Sequence, residues 1–412
     1  MAWPLTELLL PLAGVQVKHP ATALKSIERF SSLRVTPPTL ARPCKRITAA
    51  LSAIVVLTSI WSCTGPGETK SSGQEQTDPA IDQMVAKIGT AVDPEYVYAF
   101  EQTKFVPPDG KTLLIMGQTV ERITEYLDSF PDQPIPGGWS AYWGITEFKG
   151  VTETHLNETG SSQNHQMLVE RFPNTVVQSA MWMVGKWDVA KNAGNGDYDA
   201  VVKQFSAWAK TVHRPIYLRI GYEFDGPHNE LEPQEYVKAY RRIVDLMRAE
   251  GVDNIAFVWH SYAHKPFRDY PLSDWYPGDE YVDWVGISVF FQPYDGADPG
   301  PETDTVLDFA RQHKKPVMIA EANPVLGIQQ DNPDAWNKWF ANFFTFTYSK
   351  NIKAISFINE DWARLAIDGI SDWKDARLYN NEQIAKAWFT ETRKDRYLRQ
   401  ASELFEQLGY AR

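Results

Sequence analysis

Two glutamates each close an apolar run: Glu223 ends PIYLRIGYE (215–223) and Glu321 ends PVMIAE (316–321). A carboxylate set directly behind such a run is costly to desolvate without a partner or a task. The two lie 98 positions apart (321 minus 223), so only the fold can bring them together. Two opposed carboxylates are the equipment for glycoside hydrolysis. One protonates the departing glycosidic oxygen while the other attacks the anomeric carbon or activates water. A gap of about 5–5.5 Å between the carboxyl groups corresponds to a retaining double displacement.

Further polar and aromatic residues gather in the same stretches. Tyr222 and Phe224 flank Glu223 and offer the apolar surroundings that raise a general acid's pKa. Asp225, two residues on, reads as a turn residue or a sugar ligand. Side chains alternate along a strand, so Arg219 has an inward option, from which it could bond Glu321 and keep it ionised. His260 and His264 follow another apolar run, and either could line a subsite or hydrogen-bond near Glu321. His260 is the better candidate, against the reading of a structural histidine. Asn323, before Pro324, reads as turn chemistry. Asp274, Tyr276 and Asp279 either contact sugar or fix their loop, and YPGD (276–279) is a turn signature. No His/Asp/Glu set has metal-ligand spacing, and neither metal nor cofactor is expected.

The elements that position these residues are short apolar runs: 112–118, 139–146, 175–183, 215–223, 254–261, 282–290, 316–321 and 352–359. Most are continuous rather than alternating, as strands buried on both faces are, and helical patterns such as PQEYVKAYRRIVDLMRAEG lie between them. Alternating strands and helices predict a parallel sheet. Eight such units in about 300 residues, with no glycine-rich phosphate loop after the first run, predict a closed (β/α)8 TIM barrel. Such barrels build their active sites at the C-terminal ends of the strands. Glu223, His260, Phe290, Glu321 and the segment Asn359, Glu360, Asp361 and Trp362 all fall there, so the capable residues collect at one rim.

Composition narrows the partners. The 412 residues hold 15 Trp, 18 Tyr and 20 Phe, enough for both a thick core and sugar-stacking platforms. Trp143, Trp182, Trp187, Trp259, Trp362 and Trp373 fall nearest the rim or its loops. A net charge of −11 without a long Lys/Arg run excludes the electrostatic footprint of a nucleic-acid binder. Only Cys44 and Cys63 are present, so no disulfide framework or cysteine metal site exists after residue 63.

The chain divides into three parts. Residues 1–63 read as a signal or targeting segment: Lys45 and Arg46 precede an apolar run over 47–60, which is short of the roughly 20 residues a spanning helix needs. Residues 1–43 sit upstream of this pattern in the manner of an over-extended gene start. Residues 64–79, rich in Gly, Ser, Pro and charge, form a linker, and 80–412 form the catalytic barrel.

With these residues in view, the chain resembles the clan A glycoside hydrolases, and most of all glycoside hydrolase family 26, the family that contains mannanases and xylanases. The resemblance rests on WYPGDEYVDWVGIS (275–288), on KPVMIAE (315–321), and on a Glu at the end of the fourth strand before a short acidic or glycine turn; it spans roughly residues 85–375. It implies that Glu223 is the acid/base and Glu321 the nucleophile, and that Trp362 floors the subsite of the cleaved sugar. Two positions depart from the family pattern. Tyr222 stands where a His usually precedes the acid/base, and Phe290 stands where a Tyr often ends the sixth strand, so a hydroxyl that would orient the nucleophile is missing from that place. The run ending on Cys63 also resembles a bacterial lipoprotein signal, with Cys63 the lipidated residue, although Trp61 is bulky for that pattern.

The reading is a monomeric, exported retaining hydrolase, either secreted or held at the cell envelope. It cleaves a β-linked polysaccharide or oligosaccharide, mannan first and xylan or β-glucan next. Contact with a membrane is expected only through a lipid at Cys63. Substrate-binding candidates are Tyr222, Asp225, His260, Phe290, Trp362, Trp182 and Arg219. The rivals are a glycan-binding surface lipoprotein without activity, or another barrel enzyme such as a polysaccharide lyase or sugar isomerase.

Overall fold

Eight of the eight apolar runs are parallel strands: β1 Thr112–Gly117, β2 Gly138–Gly144, β3 Val176–Trp182, β4 Ile216–Ile220, β5 Ile255–Ser261, β6 Trp284–Val289, β7 Val317–Ala322 and β8 Ala354–Ile358. Each pairs with the next, and β8 returns to β1, from Ala354 opposite Leu113 to Ile358 opposite Gly117, which closes the barrel. This computed structural model describes residues 78–410 except 158, 266–269, 329–333 and 366–371. The expected leader, Cys63 and the linker up to residue 77 lie outside the described residues.

Helices cover the outside of the barrel for the reason their sequences predict. Pro233–Ala249 starts on a proline, turns Tyr236, Ala239, Tyr240, Ile243, Val244 and Met247 inward at helical spacing, and is followed by Gly251 at a left-handed φ of 74°. Two additions lie below the length at which periodicity is visible. A hairpin pairs His155–Leu156 with Ser162–Gln163, and Tyr397–Leu398 adds a strand beside the start of β1.

The barrel interior changes character along its axis. Its lower part is apolar, with Leu113, Ile115, Val176, Tyr217, Ala256, Val258, Trp284, Met318, Ala320 and Ala354 in one cluster with Phe105, Leu398, Leu404 and Phe405. The polar tips in this floor are satisfied: the Tyr217 hydroxyl donates to the Phe105 carbonyl at 2.6 Å, and the Trp284 indole donates to the Lys104 carbonyl at 2.7 Å. Two residues above Tyr217 comes Arg219, two above Val258 comes His260, and four above Trp284 comes Ser288, all buried. The period of two therefore converts a packed floor into a hydrogen-bonding upper layer on the same strands.

One anchor holds β4 in place below the site. Arg214, buried just before β4, donates to the carbonyls of Phe172, Thr175 and Val169 at 3.0, 3.1 and 3.0 Å. Arg214→Met strands these acceptors, and an orphaned buried group costs about 1–3 kcal/mol. We expect a melting temperature lower by several degrees, read by calorimetry, with activity at 25 °C retained in the folded fraction.

Candidate active site

Glu321 reaches the interior through an irregularity in β7. Ile319 stands opposite Ile287 of β6, yet Glu321 stands opposite Ser288. On the other side, Ile319 is opposite Ile355 while Ala322 is opposite Phe357. One extra residue has been inserted at Ala320 and Glu321. Strict alternation from Met318 and Ala320, which belong to the barrel floor, would point Glu321 outward into the helix layer; the insertion re-aims it to the axis, a use of bulges that recurs at active sites.

There the carboxylate meets two donors on one oxygen. The Tyr142 hydroxyl donates to Glu321 Oε1 at 2.6 Å, and the Arg219 guanidinium pairs with the same atom. Arg219 is fully buried, also donates to Ser140 Oγ at 3.3 Å, and lies 5.0 Å from the Tyr142 ring centre and 5.4 Å from that of Tyr222. Burial opposes the Arg219 charge, but Tyr142 and Glu321 outweigh it and raise its pKa. Burial also holds Tyr142 well above the usual phenol range, so it remains a donor. Glu321 itself is pushed above the ordinary glutamate value by burial, which the Arg219 charge opposes and the neighbouring Glu223 reinforces.

Glu223 lies three residues beyond the end of β4, buried, with its backbone in the left-handed region at φ 51°. That conformation is uncommon for a residue with a side chain. It is clamped by Asn229, whose amide donates to the carbonyls of Tyr222 and Glu223 at 2.8 and 2.9 Å, and by the Gly226 N–H, which donates to the Glu223 carbonyl at 2.8 Å. The side chain accepts from Ser288 Oγ at 2.5 Å on Oε1 and contacts His228 Nε2 at 2.8 Å on Oε2.

A directed chain of hydrogen bonds joins the two carboxylates. Arg219 can only donate, so its 3.4 Å contact makes His260 Nδ1 an acceptor. The ring proton of neutral His260 then sits on Nε2 and faces Ser288 Oγ at 3.0 Å, which leaves the serine hydrogen for Glu223. Burial first, and then the nearby Arg219 and His228, hold the His260 pKa well below normal, in keeping with the neutral ring. Gly286 makes room for this ring: a Cβ there would lie 3.1 Å from His260 Cβ and 3.2 Å from its Cδ2.

The other residues singled out in the sequence take varied places. The buried Asp225 carboxylate accepts from Ser261 Oγ at 2.6 Å and the Tyr262 N–H at 2.7 Å, and burial pushes its pKa up to about 6. Phe290 and Trp362 are buried in an upper cluster with Val325, Ile358 and Leu365. Trp373 packs against both, 4.9 Å from Phe290 and 5.0 Å from Trp362 between ring centres. Trp182 and Tyr222 are half-buried, and Trp187 is exposed. Trp143 and Trp259 are buried in the outer core, stacked on Phe205 and Phe224 respectively. His264 stacks on Phe291, and Asn323 is fully buried. Asp279 accepts from Tyr276 and His313 at 2.8 and 2.7 Å. Among the described residues, no group of three or more His, Cys, Asp or Glu is arranged to hold a metal ion.

Tyr142, Ser288, His228 and Asn229 are absent from the sequence reading. The hydroxyl missing at Phe290 is supplied to Glu321 by Tyr142 on β2. Inward parity in the second and sixth runs, which pairs Ser140 with Tyr142 and Gly286 with Ser288, is the signal that marks two of the four. His228 and Asn229 sit in a loop, where no periodicity points to them.

The comparisons agree with this architecture. The family described as Glycosyl hydrolase family 26 matches residues 175–377. The β-1,3-xylanase TXYA of a Vibrio species is 28% identical over 331 residues, which cover 74% of this chain and 70% of that protein. A β-1,3-xylanase of an Alcaligenes species is 27% identical over 332 residues, covering 74% and 68% respectively. Among solved structures, the family 26 β-mannanase BoMan26A of Bacteroides ovatus aligns with a TM-score of 0.52 at 15% identity, over 72% of this chain and 93% of that one, a likeness of fold. With a closed (β/α)8 barrel and this match across β3 to β8, the chain is a clan A glycoside hydrolase, most similar to family 26.

Proposed function

We propose that the enzyme hydrolyses its polysaccharide with retention of configuration, Glu223 acting as acid/base and Glu321 as nucleophile. The observation that carries this reading is the pair itself: two buried carboxylates from β4 and β7, joined through Arg219, His260 and Ser288. In the first step a Glu321 oxygen bonds to the anomeric carbon as the glycosidic bond breaks and the Glu223 proton passes to the departing oxygen. In the second, Glu223 takes a proton from water, whose oxygen displaces Glu321. Ser288 and His228 face the carboxylate that Glu223 becomes between the steps, and Tyr142 and Arg219 hold the nucleophile ionised and oriented.

The substrate we favour is β-1,3-linked xylan. The alignments that cover most of the chain are to proteins named β-1,3-xylanases. The likeness to a mannanase, at 15% identity, speaks to fold alone. Mannan, placed first from the sequence, therefore becomes the second choice and β-glucan the third. We further propose export and a lipid anchor at Cys63, supported by the basic and apolar run that precedes it.

Reducing-sugar release from β-1,3-xylan, β-1,4-xylan, mannan and β-glucan tests the substrate, and faster release from mannan than from β-1,3-xylan would reverse our order. Glu321→Ala is expected to lose roughly 10³-fold or more in kcat, and Glu223→Ala roughly 10²–10⁴-fold on unactivated substrate. Azide should rescue each on an aryl glycoside, giving the β-glycosyl azide with Glu223→Ala and the α-glycosyl azide with Glu321→Ala; the opposite products would exchange the roles.

The nucleophile must be ionised, so activity falls as pH drops through the Glu321 pKa, which burial raises and Arg219 opposes. Arg219→Gln removes the opposing charge. The acidic limb of kcat/KM should move to higher pH, and an unmoved limb would show that Glu321 does not set it. For the lipid anchor, palmitate labelling of cells should mark the wild type and not Cys63→Ala.

A further inference from the structure

We infer that His228 is a positioning residue for Glu223, sharing one proton with it and thereby setting the basic limb of the pH profile. This rests on the role of Glu223 proposed above. His228 Nε2 lies 2.8 Å from Glu223 Oε2, on the oxygen that Ser288 does not occupy. The loop is shaped for this contact. A Cβ on Gly226 would lie 2.6 Å from His228 Cε1, so the glycine admits the ring, and the adjacent Asn229 fixes the strained Glu223 backbone at φ 51° while its amide lies 3.2 Å from His228 Nε2. The ring stands edge-on to Tyr262, 5.7 Å between centres, and remains 46% exposed, open to solvent protons and to the cleft.

The titratable groups facing His228 are Glu223 and Asp225 of its own loop, Glu321 of β7, Tyr262 after β5 and His260 of β5. Burial disfavours the imidazolium, yet the hydrogen bond and charge of Glu223, with Glu321 and Asp225, outweigh it and raise the His228 pKa. The pair thus holds a single proton in either of two forms: carboxylic acid beside neutral imidazole, or carboxylate beside imidazolium. The first form delivers the proton to the glycosidic oxygen as that bond breaks. The resulting carboxylate keeps neutral His228 as its neighbour until water returns a proton. Loss of the shared proton ends acid catalysis, and the pair loses it at a histidine-like pH rather than where a carboxyl alone would. Tyr222 occupies the place where the family pattern has a His before the acid/base, and His228 brings an imidazole to the same carboxylate from five residues downstream.

The test uses the polysaccharide that the wild type hydrolyses best in the panel above and a 2,4-dinitrophenyl glycoside, whose leaving group needs no proton. In His228→Ala and His228→Gln, the basic limb of kcat/KM on the polysaccharide should move down by about one pH unit or more, with the acidic limb unchanged and no shift on the dinitrophenyl glycoside. A loss equal at all pH values, or a basic limb left in place, overturns the proposal. A second measurement leaves His228 intact: NMR titration of its ring should give a pKa lower by about one unit or more in Glu223→Gln than in the wild type, and an unchanged value overturns the sharing. Failure of azide rescue in Glu223→Ala counts against the role of Glu223 itself, whereas rescue with an unmoved basic limb in the His228 variants counts against His228 alone.

Discussion

The upper half of the barrel is organised by one buried charge. Arg219 has no exposed surface, and an isolated guanidinium in that position would carry a desolvation penalty of several kcal/mol. It is stable because Glu321 supplies the counter-charge, Ser140 and His260 each accept a further hydrogen bond from it, and the rings of Tyr142 and Tyr222 stand beside it. Each of those partners is constrained in turn. Glu321 must point inward, so β7 carries an extra residue. His260 must present an unprotonated Nδ1, so its proton goes to Nε2 and on toward Ser288, and the serine is left with its hydrogen for Glu223. One charge near the floor of the site therefore orders the hydrogen bonds that reach both carboxylates.

The loop after β4 solves a different problem, which is to hold the Glu223 carboxyl group rigidly while keeping it reachable. Glu223 adopts a left-handed backbone, a conformation that costs about 1–3 kcal/mol and persists only where its surroundings over-determine it. The surroundings do so from both sides. Phe224 is buried against Trp259 and Tyr236, and Asp225 is bound by Ser261 and the Tyr262 backbone, while Asn229 closes the turn from below. Asp225 and Asn229 thus act on the backbone that carries Glu223. The exposed edge of this loop is left to His228, which touches the carboxylate without carrying the fold.

The aromatic richness of the chain divides along the same axis. Trp139, Trp259, Trp284, Trp336, Trp339 and Trp388 are fully buried and account for much of the bulk of the core. Around the rim the rings are half-buried instead: Tyr142, Trp182, Tyr222, Tyr262, Phe291 and Trp373 each keep a face or edge in solvent. Partly exposed rings around a polar floor suit sugars, which present apolar C–H faces and hydroxyl edges. The exposed Trp187, with Lys186 over its ring and a left-handed backbone at φ 59°, stands apart from that set.

What the sequence by itself determined is the frame. Runs buried on both faces and separated by helical patterns admit few arrangements, so the eight strands, their parallel order and the rim on which Glu223 and Glu321 collect were legible from hydrophobic patterning. The inward option for Arg219 was legible from the period of two, and so was the possibility of its bond to Glu321. The tertiary structure alone decided which side chains complete the site. Glu321 faces the axis because of a one-residue slip in β7, and no local propensity records a slip that exists only relative to β6 and β8. Tyr142 supplies a hydroxyl from a strand 179 positions earlier in the chain. His228 meets Glu223 because a loop folds back through Gly226, where side-chain direction follows no repeat. Periodicity encodes direction within an element, whereas contacts between elements are set by how those elements are packed against one another.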